Sequence, residues 1–138
     1  MKTIINLLRI FLIFWASSAV ALSVSCPYRH DGNIEAAPTG IFSVVRIAEE
    51  KRGFDFEVRV LNKYKDLDFK SLAVRRQENE KITFAVILET VEEEGSRKAY
   101  LLSVKPSDIF LYDFIVTYGT SDEACPNDEI SYQFPLHT

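Results

Sequence analysis

From Ile41 onward the apolar positions recur every second residue. Phe54, Phe56, Val58 and Val60 alternate with Asp55, Glu57 and Arg59. A strand points successive side chains to opposite faces, so this pattern predicts a half-buried strand with one wet face. Ile41 to Ala48 is β-branched and mostly apolar, and Glu49-Glu50-Lys51-Arg52-Gly53 separates it from the next run. A polar break ending in Gly between two such runs predicts a hairpin.

Further along, Ile82 to Val91 is apolar at both parities for most of its length, which predicts a central strand covered on both sides. Glu92 to Ser96 is a charged loop, and Lys98 to Lys105 returns as a strand to close a second hairpin. Pro106-Ser107-Asp108 breaks the pattern. Ile109 to Tyr118 and Ile130 to Phe134 are the last two predicted strands. Asp66 to Lys81 reads two ways. Asp68 before Leu72, Ala73 and Arg76 allows a short capped helix, while Ser71 to Arg75 reads more simply as a strand. Residues 27–40, punctuated by Pro27, Gly32, Pro38 and Gly40, read as irregular, with Ala36-Ala37 the only hint of a short helix. Six to seven short strands at regular spacing predict a mainly β fold, a single antiparallel β-sandwich or small barrel.

The N-terminus follows a different rule. Lys2 and Arg9 precede the apolar run Ile10 to Ala16, and small residues follow, with Ala19 and Ala21 fitting the signal-peptidase pattern. Residues 1–21 therefore read as a cleavable signal peptide, and 22–138 as one exported β domain, secreted or periplasmic. A retained membrane anchor fits less well. A span needs roughly 20 apolar residues, and Asn6, Arg9 and two serines interrupt this one. Lipidation at Cys26 is a further alternative, but Ser23-Val24-Ser25 is a poor match to the segment that precedes a lipidated cysteine.

Cleavage changes the charge. The first 21 residues hold two of the 16 basic residues and none of the 20 acidic ones, so the remaining 117 residues carry a net charge of −6. Without a basic cluster, neither nucleic acid nor an anionic lipid surface is an expected partner. No stable membrane insertion is expected after cleavage. The chain has two cysteines, Cys26 and Cys125, 99 positions apart. In an oxidising compartment an even pair reads as a disulfide. Closing a loop of that length is worth up to about 4.7 kcal/mol of chain entropy.

Chemistry-bearing residues are sparse. The two histidines, His30 and His137, have no partner at metal-ligand spacing, and read as solvated surface residues. Asp122 to Glu129 concentrates oxygen ligands of the kind calcium prefers, but its spacing fits no EF-hand loop, and a solvated acidic loop is the simpler reading. No phosphate loop, nucleophile elbow or H-E-x-x-H is present, and no cofactor is implied. The most distinctive candidate is aromatic. Phe110, Tyr112, Phe114 and Tyr118 share a strand face, and Tyr132 shares one with Ile130 and Phe134. If the two strands are neighbours they form an aromatic ladder. Such a ladder is either a binding stripe or, more simply, core with hydroxyls at the rim.

Phe42 to Ile47, followed by Phe54 to Lys65, resembles the first two strands of netrin-like domains, the OB-type barrels that include the tissue inhibitors of metalloproteases. A cysteine precedes the first strand there, as Cys26 does, and Tyr64-Lys65 is similar to the pair that often ends the second strand. Tyr100-Leu101-Leu102 after Gly95 resembles the fourth-strand region. The resemblance covers roughly a third of the chain and implies an OB-type barrel with a short helix. Inhibition in that family uses a cysteine at the mature N-terminus, whose amine and carbonyl chelate the target zinc. Here that requires cleavage after Ser25. The chain departs from the pattern in having one cysteine pair and no C-x-C opening.

The leading expectation is a small exported, non-catalytic β domain that binds another macromolecule, a protein rather than a nucleic acid. A metalloprotease-inhibitor-like module is one alternative. Another is a small hydrolytic enzyme using carboxylates such as Asp113 and Glu123. The exported protein is expected to begin at Leu22 with both cysteines oxidised. N-terminal sequencing and intact mass check this; a chain beginning at Cys26, or one that keeps residues 1–21, contradicts it.

Overall fold

The period-two pattern becomes two sheets. In the computed structural model, residues 26–28 and 32–137 are described; the expected signal peptide and His30 lie outside them. The strands are β1 (Ile34–Ala36), β2 (Phe42–Glu50), β3 (Gly53–Leu61), β4 (Lys63–Tyr64), β5 (Leu67–Glu78), β6 (Lys81–Ile87), β7 (Val91–Glu93), β8 (Ser96–Val104), β9 (Tyr112–Gly119) and β10 (Glu129–Pro135). A 3-10 helix covers Pro106–Leu111. One sheet runs β1-β10-β9-β5-β4, with β6 also on β5, and the other runs β2-β3-β8-β7. The fold is mainly β, as the alternation predicts. β1, β4 and β7 are two or three residues long, and the remaining seven strands are those the hydrophobic pattern anticipates. All pairings are antiparallel except β1 with β10.

β2 and β3 form the expected hairpin, with Glu50 opposite Gly53. Gly53 is required here. Its φ is +142°, and a Cβ would meet the Val104 carbonyl oxygen at 2.5 Å. Two other hairpins turn without glycine. Lys65-Asp66 joins β4 to β5 and Asn79-Glu80 joins β5 to β6, all four residues at positive φ. These are the angles a two-residue type I′ turn demands. The ambiguous Asp66 to Lys81 segment is therefore a strand, longer than Ser71 to Arg75.

Paired residues on neighbouring strands share a face, so the register reads out the core. Val74, Phe114 and Phe134 form one rung and Leu72, Val116 and Tyr132 the next. All six are buried, and Phe56, Val58, Val60 and Ala99 of the facing sheet pack in the same core. Phe134 stacks on Phe114 at 5.2 Å and on Phe42 of β2 at 4.2 Å, so aromatic contacts cross between the sheets. At the other end the Tyr118 hydroxyl donates to the Leu61 carbonyl at 3.1 Å. Cys26 and Cys125 are disulfide-bonded, tying the chain before β1 to the loop before β10.

Three expectations need correction. Ala36 belongs to a short strand and not a helix, because β10 offers it a parallel partner. The strand expected from Ile109 begins at Tyr112, because Pro106 opens a 3-10 turn. The run Ile82 to Val91 is not a central strand. It ends at Ile87, pairs with β5 and leaves every residue exposed, and only Val91 to Glu93 joins β8. The second predicted hairpin is thus confined to Val91 and the first two residues of the expected charged loop, Glu92 and Glu93. The chain leaves β6 through Leu88, whose N–H bonds the Leu72 carbonyl, and crosses to the other sheet.

Burial pushes the Tyr118 hydroxyl up to about 12. Tyr132 moves in the same direction, also by burial. An unfolded tyrosine ionises near 10, so the unfolded chain loses this proton first. The Tyr118 contribution is therefore intact below pH about 10 and is lost as pH rises through about 12. Tyr118→Phe is expected to flatten this alkaline loss and to cost about 0.5–1.5 kcal/mol at neutral pH, read from urea melts across that pH range.

Candidate functional site

β6 reads Lys-Ile-Thr-Phe-Ala-Val-Ile and contains one charge, Lys81. Its composition suits a pleated, buried surface. Yet Ile82, Phe84, Val86 and Ile87 keep between 43 % and 70 % of their area exposed. Exposed apolar side chains are ordinary when scattered; four on one seven-residue strand are not.

The register explains why they stay wet. Val86 lies opposite Val74 and Phe84 opposite Arg76, so both point to the inner side of the sheet. Val74 is fully buried there. The facing sheet, however, ends at β7, which spans three residues and pairs only with Ser96, Arg97 and Lys98. Phe84 and Val86 form an apolar shelf past the covered part of the core. Ala85 and Ile87 point to the outer side. The pairing shifts between Arg76 and Gln77, with Thr83 as the extra residue on β6. Such a bulge breaks a ladder locally and leaves Phe84 to Ile87 as its regular stretch.

What holds β6 in place is rigid. Next to Ala85 on the outer face, Arg75 makes a bidentate pair with Asp113, at 2.9 and 2.6 Å. Both side chains are largely buried, and the Arg75 guanidinium is held above its ordinary pKa by that bond. Two parallel charge-assisted bonds fix geometry as well as attraction. They lock β5 to β9 directly behind β6. On the inner side Arg76 pairs with Glu78 at 2.9 Å and faces Asp108 at 3.8 Å. The Thr83 hydroxyl donates to the Arg76 carbonyl at 3.3 Å. Among the described residues β6 has an open outer edge, with β5 its only strand partner.

The sequence-predicted site residues divide. Phe114, Tyr118 and Tyr132 are in the core, so the ladder does form, on the neighbouring strands β9 and β10, but it faces inward. Tyr112 packs half-buried at its end. Phe110 lies apart on the 3-10 helix, 73 % exposed, with its ring 4.7 Å from that of His137. A face-sharing argument fails for Phe110 because it is not in the strand.

The other candidates are also placed. Asp113 gives both carboxylate oxygens to Arg75, and Glu123 lies beyond the opposite end of β9. The Asp122 to Glu129 loop uses its polar groups locally. Asp122 accepts from the Ala124 N–H at 2.9 Å, and Thr120 accepts from the Asp122 N–H at 3.0 Å. Among the described residues no three His, Cys, Asp or Glu side chains are grouped to hold a metal ion. An open depression of about 410 Å³ lies beside the disulfide, lined in part by Tyr28, Lys65, Asp66 and Asp128. On the outer face of the smaller sheet Arg59 bridges Glu57 and Glu93, and Glu93 also pairs with Lys98. The described residues contain no helix long and apolar enough to cross a membrane.

Sequence reasoning missed β6 because it treated an unbroken apolar run as proof of cover on both faces. The signal that was present is Asn79-Glu80, a turn between two runs that makes the second the hairpin partner of the first. Compared with protein families, curated proteins and solved structures, the chain matches none.

The placement separates two phenylalanines of the predicted stripe. Phe114→Ala is expected to destabilise the domain by about 3–5 kcal/mol. Phe110→Ala is expected to change stability by about 0.5 kcal/mol or less. Parallel urea melts compare them, and equal costs would contradict the inward-facing ladder.

Proposed function

We propose that the chain is an exported, non-catalytic β domain that binds another protein, and that it does so through β6. One observation carries this reading: a seven-residue strand, rich in β-branched and aromatic residues, with every residue exposed and its outer edge unpaired among the described residues. Native sheets blunt such edges with charges, proline, bulges or brevity. β6 has the bulge at Thr83 and Lys81 at its start, and nothing of the kind from Phe84 to Ile87.

Strand addition fits what the edge offers. Main-chain N–H and C=O groups supply directional bonds, and side chains on alternating faces supply selectivity. The partner contacts β6 with apolar groups, because no charge between Ile82 and Leu88 is available to pair. The rigid Arg75–Asp113 support favours binding, since less order has to be gained on docking. The disulfide suits a scaffold that works outside the reducing cytosol.

A photo-reactive residue at Ile87, in the full chain expressed in cells that export it, tests the reading. Irradiation is expected to yield a covalent protein adduct. The same probe at Gln133, exposed on the same face but three strands away in β10, is expected to yield none. No adduct at Ile87, or equal adducts at both positions, overturns it.

A further inference from the structure

We infer that the protein docked on β6 is a second copy of this chain, joined antiparallel about a two-fold axis at Ala85. The inference rests on the reading of β6 as the binding strand and names its occupant.

Two features favour a second copy over a foreign strand. The first is charge. Ile82 to Leu88 is uncharged in a chain of which 26 % is charged, so a partner strand gains nothing there from charges of its own. A matching strand must itself be apolar at both parities, and β6 has that composition. The second is polarity along the strand. Lys81 stands at its start and Glu89 just past its end. In an antiparallel self-pair about Ala85, the end of each strand that carries Lys81 lies beside the end from which the other copy's Glu89 departs, and this happens twice. A parallel self-pair would set each like charge against itself, which destabilises a ladder.

The register follows from the side chains. With Ala85 opposite Ala85, the smallest side chain of the strand sits on the axis. Phe84 then faces Val86 on both rungs beside it, on the inner shelf, and aromatic–β-branched pairs of this kind stabilise cross-strand contacts. These three rungs lie within Phe84 to Ile87, clear of the bulge at Thr83. The two six-stranded sheets become continuous across the axis, and the exposed shelves of the two copies meet side by side on the inner face. A C2 contact of this sort is closed, so it ends at two copies instead of growing into a fibre. Paired strands bury less than the roughly 1,200–2,000 Å² of a standard stable interface, so the dimer is weak and concentration-dependent.

Sedimentation of the mature, oxidised chain over a range of concentrations tests this. The expected result is a reversible shift from one to two copies. Ala85→Lys, an exposed position, puts two like charges on the axis and is expected to leave a folded monomer by circular dichroism. Ala85→Cys is expected to form a covalent dimer on mild oxidation, because directly opposed residues lie about 4.5–5.5 Å apart, within disulfide reach. A chain that stays monomeric at every concentration overturns the inference. So does a dimer that Ala85→Lys leaves intact, or an Ala85→Cys chain that does not cross-link. If the chain is monomeric while Ile87 still cross-links to a different protein, the second copy is excluded and the binding role of β6 stands. If Ile87 captures nothing, both fail.

Discussion

The structure depends on how β5 shares its two edges. This twelve-residue strand gives one edge to β9 for most of its length and divides the other between β4 and β6. Its inner face supplies Leu72 and Val74 to the core. Its outer face supplies Arg75 to Asp113. A strand so occupied cannot move without breaking two ladders and a bidentate ion pair. The strand it carries on its second edge is held just as firmly, although the facing sheet does not reach over it. β6 is thus a consequence of unequal sheets: six strands against four, with the surplus left apolar and wet.

That imbalance sets what was legible in the sequence. Phe54 to Val60 announced their strand through strict alternation, and Gly53 announced its turn because its backbone there tolerates no side chain. The aromatic ladder was legible in parity, since Phe114, Val116 and Tyr118 do share a face. Its direction was not, because only the position of the smaller sheet decides which face is inside. The place of β6 was hidden for the same reason. An apolar run says that a strand should be covered, and cannot say whether the chain itself provides the cover. The type I′ turns were hard to read because Lys65-Asp66 and Asn79-Glu80 meet the positive-φ requirement without glycine.

Stability and the binding proposed for β6 draw on different parts of the molecule. The Phe42–Phe134–Phe114 stack and the Tyr118–Leu61 bond hold the two sheets together, and the disulfide ties the segment before β1 to the loop before β10 within the larger sheet. β6 contributes no buried side chain to that core. A strand that the fold does not bury is open to a different use, and its uncharged composition from Ile82 to Leu88 is the basis for proposing an apolar partner strand.

Amide hydrogen exchange on the mature chain tests the central claim, that β6 is a binding edge, most directly. Amides that point away from β5 lack a strand partner in the isolated domain, whereas those of β9 have ladders on both sides. The account predicts that alternate amides between Phe84 and Ile87 exchange fast in dilute protein and become protected as concentration rises or when a bound partner is present, while protection in β9 stays constant. Fast exchange of those same amides at every concentration and in the presence of every bound protein would contradict it.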